Sequence, residues 1–294
     1  AYNAMLPKVT AFYAKVPLDQ RLWANVKAFS ETDAAKSLEG ADKRLLQETL
    51  ADFREAGADL PKEKRERLEA LSSDLAQVTQ KFAENVLDST NAWDLVIEDE
   101  EKLAGLPEVA RANARQAAIE KLGDEDGQTR WRFTLHAPSV TPIMQYLDDG
   151  SIRRDVWEAS NRIGQESGRD NTELIREILD LRSEKAALLG KKDFADVVLS
   201  RRMAKNGTQA DAFVSDLHDK TADAFRRENE ELEAYKAGKT DQEPDLLEPW
   251  EVSYWVEKRK KDLFDFDDEE LRPYFPIDSV LGGMFELVTR VFGL

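Results

Sequence analysis

The sequence predicts a mostly α-helical protein, a multi-helix domain carrying one small antiparallel β-hairpin. Three observations predict it. Apolar residues recur every three or four positions over long stretches, capping residues stand at the starts of those stretches, and only two short segments are rich in aromatic and β-branched residues.

The clearest helix covers positions 61–87. Leu68, Leu71, Leu75, Val78, Phe82 and Val86 fall three or four apart, with Lys, Glu, Asp and Gln on the other faces. Pro61 suits the first turn, where an amide hydrogen has no partner to lose. A shorter helix at 42–55 precedes it and ends at Gly57. Positions 93–97 (Trp93, Leu95, Ile97) and 131–135 (Trp131, Phe133, Leu135) read as strands that pair with each other. Between them come Gly105-Leu106-Pro107, a helix reaching 122, and a turn at Asp124–Gly127.

After Pro138 the chain is helical again, at 142–147, 151–163, 171–189 and 208–235. Ser151, Asn171 and Thr208 are the expected caps, the last with Asp211 three residues on. In 171–189, Leu174, Ile178, Leu181, Lys185 and Leu188 line one face. Ile175, Leu179, Ala186 and Leu189 line the next, and a stripe that wide belongs to a helix buried among others. Pro244 and Pro249 mark 238–249 as a loop. A helix at 250–264 follows, Pro273 and Pro276 break the chain, and an apolar helix at 279–292 closes it. The expected organisation is a helical domain at 1–237 that includes the hairpin, a loop at 238–249, and terminal helices at 250–294.

Composition narrows the function. The 294 residues hold 42 basic and 59 acidic side chains, a net charge of −17. A surface of that sign repels phosphate backbones and anionic lipid, so neither nucleic acid nor membrane is an expected partner. The basic run Lys258-Arg259-Lys260-Lys261 reads as a solvated helix face beside the acidic run 265–270. No apolar stretch reaches the ~18 residues of a membrane span. Cysteine is absent, which excludes disulfides and thiolate metal sites and suits a reducing compartment. With no signal sequence at the first residues, a cytoplasmic location is expected. The first residue is Ala1 rather than Met, as in a processed or partial piece.

No catalytic, cofactor-binding or metal-binding residue emerges. A zinc peptidase needs two imidazoles one helical turn apart beside a carboxylate. The two histidines, His136 and His218, are followed four positions later by Val140 and Ala222, so neither begins such a motif. His136 reads as a structural or surface group at a strand end, and His218 as a residue of a polar helix face. Asp265, Asp267 and Glu269 alternate as calcium ligands do. Glu270 stands where a calcium loop requires glycine, so an acidic helix start is the better account. Asn206-Gly207-Thr208 matches a glycosylation acceptor but reads as a loop running into a helix cap.

Several phrases nevertheless have a recognisable order and spacing from about position 52 to the end. They are Phe53 to Gly57 with Leu60-Pro61; Phe82-Ala83-Glu84-Asn85; Leu103 to Glu108; Trp131 to Leu135 with Pro138; and Ile152-Arg153 with Trp157. Then come Asn171 with Leu181 to Gly190, Phe194-Ala195, Met203-Ala204, Pro249-Trp250 with Tyr254, Leu271 to Pro276, and Val280-Leu281-Gly282 with Phe292-Gly293. Each alone is weak; together they resemble the N-terminal half of the M3 family of zinc metallopeptidases, of thimet oligopeptidase and bacterial oligopeptidase A type.

The resemblance implies that the parent protein is a zinc metalloendopeptidase hydrolysing short peptides. This chain would be its non-catalytic N-terminal part, one wall of a channel that restricts substrate size. The family's His-Glu-x-x-His and its other zinc and substrate groups have no matching positions here. Zinc would thus belong to the parent enzyme and not to this chain, whose partners would be short peptides and a C-terminal catalytic half. The alternative is a stand-alone helical interaction module without enzymatic activity, which would bury Phe285 and Phe292 in its own core. A third reading is a carboxylate-based hydrolase with an acid-limited pH profile.

Overall fold

The structure, a computed structural model, describes residues 5, 9, 12, 13, 15–266 and 268–293. Ala1, Asp267 and Leu294, which entered the sequence expectations, lie outside the described residues. The chain is mostly α-helical with a two-stranded antiparallel sheet, and it divides into two compact units. One comprises Ala1–Asp88 with Gly164–Thr221, the other Ser89–Ile163 with Ala222–Leu294.

In the first unit, helix Gln20–Ser30 starts at Asp19, whose carboxylate accepts from the amides of Arg21 and Leu22. Its Trp23 stacks on Phe53 with ring centres 5.6 Å apart and buries against Ala58. Phe53 belongs to helix Gly40–Glu55. Glu48, Asp52 and Glu55 lie along one face of that helix, and Arg201 bridges all three at 2.7, 2.5 and 2.9 Å. The long helix is Lys62–Ala92, 31 residues, starting one residue after Pro61 and running beyond the expected 87.

Helix Thr172–Leu188 corrects two expectations. Ile178 and Ala186 are buried, but Ile175 and Leu179 are exposed, so the helix packs through one stripe and is not enclosed by neighbours. Asn171 stands at the cap position without capping. Its side chain is buried, and the amide of Thr172 bonds Asp170 instead.

In the second unit, strands β1 (Asp94–Ile97) and β2 (Trp131–Thr134) pair antiparallel, Asp94 opposite Thr134 and Ile97 opposite Trp131. Ile97, Trp131 and Phe133 face inward onto Leu103, Leu106, Ile143, Leu147 and Val156, while Arg132 bonds Asp94 at 2.8 Å at the sheet's edge. Helix Glu108–Leu122 packs on β2, and Val252–Phe264 packs on Ala137–Tyr146.

The helix expected at 142–147 is Ala137–Tyr146. Pro138 occupies its first turn, and Pro142 lies inside, removing one backbone bond rather than starting the element. The helix expected at 151–163 is Gly150–Ser160, capped by Asp149 rather than Ser151. The one expected at 208–235 is Gly207–Thr240. Asn206, not Thr208, accepts from the Gln209 amide to cap it, and it runs three residues into the stretch expected to be loop. Its end comes where Asp241 turns left-handed, at φ +54°. The last helix is Ile277–Phe292.

Candidate functional site

The phrases that carry the family resemblance lie far apart in sequence, and the fold gathers several of them into two polar clusters, each centred on a buried side chain. In the second unit the centre is Arg153, on helix Gly150–Ser160 and 4% exposed. Its guanidinium donates to the carbonyls of Leu147 (2.5 Å), Asp148 (3.1 Å) and Trp250 (3.1 Å), and lies 4.0 Å from the centre of the Tyr254 ring. The Tyr254 hydroxyl donates to Asp148 Oδ1 at 2.7 Å, and the Lys258 ammonium reaches the same oxygen at 3.0 Å. Trp157 and Trp250 close one side, ring centres 5.6 Å apart. The turn Gly105-Leu106-Pro107 forms the other side, where the Asp148 amide bonds the carbonyl of Ala104. Gly105 has φ +88°, and a Cβ there would come within 2.1 Å of the Tyr146 carbonyl oxygen, so only glycine fits.

The electrostatics follow from this packing. Burial pushes the Asp148 carboxyl up, but the hydrogen bonds from Tyr254 and Lys258 outweigh it and hold the group below the usual aspartate value. Burial, reinforced by the bond to Asp148, pushes the Tyr254 hydroxyl up, so it remains a donor through the neutral range. Burial pulls the Arg153 guanidinium down. A cavity of about 680 Å³ opens beside the cluster, lined by Gly105, Pro107, Gln145, Glu257, Lys258 and Lys261. The basic run is paired within this unit: Lys258 with Asp148, Arg259 with Glu231 and Lys260 with Glu257.

In the first unit the centre is Asn171. It accepts from Asn85 Nδ2 at 2.9 Å and donates to the Phe82 carbonyl at 3.2 Å, and its amide bonds the carbonyl of Gly164 at 2.8 Å. The phrases around Asn85 and Asn171 are thus joined by direct contact.

The two histidines belong to different units. His136 Nε2 lies 2.9 Å from Asn91 Oδ1 at the end of the hairpin, and His218 is on the exposed part of helix Gly207–Thr240. Among the described residues, no group of three or more His, Asp and Glu converges as a metal site. The residues present therefore do not fit the zinc ion that the family resemblance implies. Nor, among the described residues, is any helix long and apolar enough to cross a membrane.

One further feature stands out. Along helix Ile277–Phe292, Val280, Leu281, Met284, Leu287 and Val291 are all exposed, and Phe285 and Phe292 are 62% and 72% exposed. Exposed apolar faces of that extent generally mark contact surfaces.

Fold and clusters together define a mostly helical scaffold held by buried polar groups. Sequence comparison gives the family. The description "Peptidase family M3" matches residues 143–294, about half of the chain. Oligopeptidase A of Escherichia coli (strain K12) is 33% identical over 299 residues, covering 100% of this chain and 43% of the relative. Oligopeptidase A of Haemophilus influenzae gives the same identity and coverage, and the organellar oligopeptidase A of Arabidopsis thaliana is 32% identical with 37% of its length covered. The chain spans well under half the length of these curated relatives. It belongs to peptidase family M3.

Proposed function

We propose that this chain is the non-catalytic N-terminal part of a zinc-dependent M3 oligopeptidase, supplying one wall of a channel that admits short flexible peptides. The observation that carries the reading is the uncovered apolar face of helix Ile277–Phe292 in a chain that aligns with only 43% of its relatives' length. That face is the surface on which the catalytic half would pack. The absence of any His-Glu-x-x-His from the sequence supports the same reading, with zinc held by the other half. The division into a helical body at 1–237, a connection at 238–249 and a segment at 250–294 leading toward the catalytic half belongs to this proposal, as does a cytoplasmic setting. A stand-alone interaction module would instead bury Phe285 and Phe292, which are exposed.

The test is complementation. The chain is assayed on a short fluorogenic peptide alone, and again after mixing with a separately produced M3 C-terminal segment that carries His-Glu-x-x-His. The expected result is no hydrolysis by the chain alone and chelator-sensitive hydrolysis by the mixture. Hydrolysis by the chain alone that survives a chelator would overturn the reading.

A further inference from the structure

Helices Lys62–Ala92 and Thr172–Leu188 are tied at two levels. Arg67 and Glu184 form a two-pronged ion pair, with Nε–Oε1 and Nη2–Oε2 both at 2.6 Å, and Asn85 meets Asn171. The two helices are therefore antiparallel. A groove with a cavity volume of about 910 Å³ follows the first helix over positions 72–88, its apolar wall built from Leu75, Ala83 and Leu87. Lys185 also lines the groove. It adjoins Glu184, whose partner Arg67 lies toward the start of the first helix, so the ammonium sits at the end of the groove near position 72. Glu84 and Asp88 sit at the opposite end.

Lys185 is the unusual group. It occupies an apolar stripe, is half-buried, and among the described residues its ammonium has no hydrogen-bond or ion-pair partner. Burial pulls its pKa down. A cation held partly out of water without a counter-charge is destabilising until an anion meets it. The groove is thus polarised, with a half-buried cation that has no counter-charge among the described residues at one end and carboxylates at the other. Seventeen helical positions extend over about 25 Å, the reach of roughly seven residues of extended peptide.

We propose that this groove binds a short, extended peptide with free ends, its C-terminal carboxylate on Lys185 and its N-terminal ammonium toward Glu84 and Asp88. The choice of a peptide rests on the reading of the chain as part of an oligopeptidase; the polarity of the site rests on the groove itself. Peptide length would then be measured by two charged ends as well as by the width of a channel.

Calorimetric titration of the full 294-residue chain tests this with a seven-residue peptide of Ala, Ser and Leu, unblocked, C-terminally amidated, or N-acetylated. The unblocked peptide should bind, and amidation should weaken it about tenfold, the loss of one charge-assisted contact. Lys185→Met should bring the unblocked peptide down to the amidated level while leaving the amidated affinity unchanged; Lys185→Arg should retain the difference. No binding, equal affinities for the free and amidated forms, or an unchanged preference in Lys185→Met would each overturn the proposal. Protection of Lys185 by the C-terminal catalytic segment with no peptide binding would also overturn it, because that segment would then be the occupant. Failure here leaves complementation intact, whereas failure of complementation with a carboxylate-dependent titration would remove the oligopeptidase reading alone.

Discussion

Asn85 donates through Nδ2 to Asn171 Oδ1 at 2.9 Å, joining two helices whose contacting residues are 86 positions apart. Asn171 uses its own Nδ2 on the Phe82 carbonyl, so one buried amide satisfies two groups on the long helix. Asn171→Ala leaves the Asn85 amide without its partner and strips the Phe82 carbonyl of its second bond, and should lower the unfolding free energy by about 1–3 kcal/mol. Urea denaturation measures this. A double-mutant cycle with Asn85→Ala should show the two losses to be non-additive by about 1 kcal/mol.

Arg153 satisfies three carbonyls from two segments of the second unit. Arg153→Met keeps most of the side-chain volume but removes every donor, and should cost about 3 kcal/mol. Limited proteolysis should then cut near Trp250 faster than in the parent chain, because the bond to its carbonyl is the one that spans 97 positions.

Acid should loosen the same cluster. Asp148 has a folded pKa below its ordinary value of 3.8, the bonds from Tyr254 and Lys258 outweighing burial. A carboxyl with a depressed folded pKa adds stability above its unfolded pKa, and loses it as pH falls through the folded value. Thermal melts of the parent and Asp148→Asn should differ by about 0.5–1 kcal/mol at pH 6, solvent screening at the 44% exposed carboxylate holding the figure down, and the difference should vanish on acidification below the ordinary aspartate range. A gap independent of pH would show that the carboxylate charge is not what the cluster uses.

The apolar face of the last helix should drive association at high concentration. Replacing Phe285 and Phe292 by Ser together should shift sedimentation toward monomer without lowering the melting temperature, since neither ring is part of a buried core. The same pair of changes should weaken complementation by a catalytic segment.

Much of the fold was legible because its signals are local. The 3.6-residue spacing from Leu68 to Val86 marks the long helix, and Trp131 and Phe133 alternate with polar neighbours as a strand facing one core does. What sequence placed less well depends on which of several polar residues wins a cap. Asp149 supplants Ser151 and Asn206 supplants Thr208, because the side chain just before the first turn reaches the free amides directly.

Helix Gln20–Ser30 is absent from the sequence expectations although six of its eleven residues are apolar; its place is fixed by Trp23 stacking on a residue 30 positions away. Arg153 and Asn171 hid for the opposite reason. A single polar residue in a helical phrase gives no hint of whether it will face water or three carbonyls. Lys185 did give a local hint, as a charge on an apolar stripe, but only the structure shows that no counter-charge meets it among the described residues.

At position 105 the backbone approaches the Tyr146 carbonyl so closely that the first side-chain carbon of any other amino acid has nowhere to go. Every missense codon adds that carbon, whether it encodes alanine or tryptophan. In a saturation mutagenesis experiment this site should therefore show uniform intolerance with no gradation by size or polarity. Positions one residue away should instead rank their substitutions by chemistry.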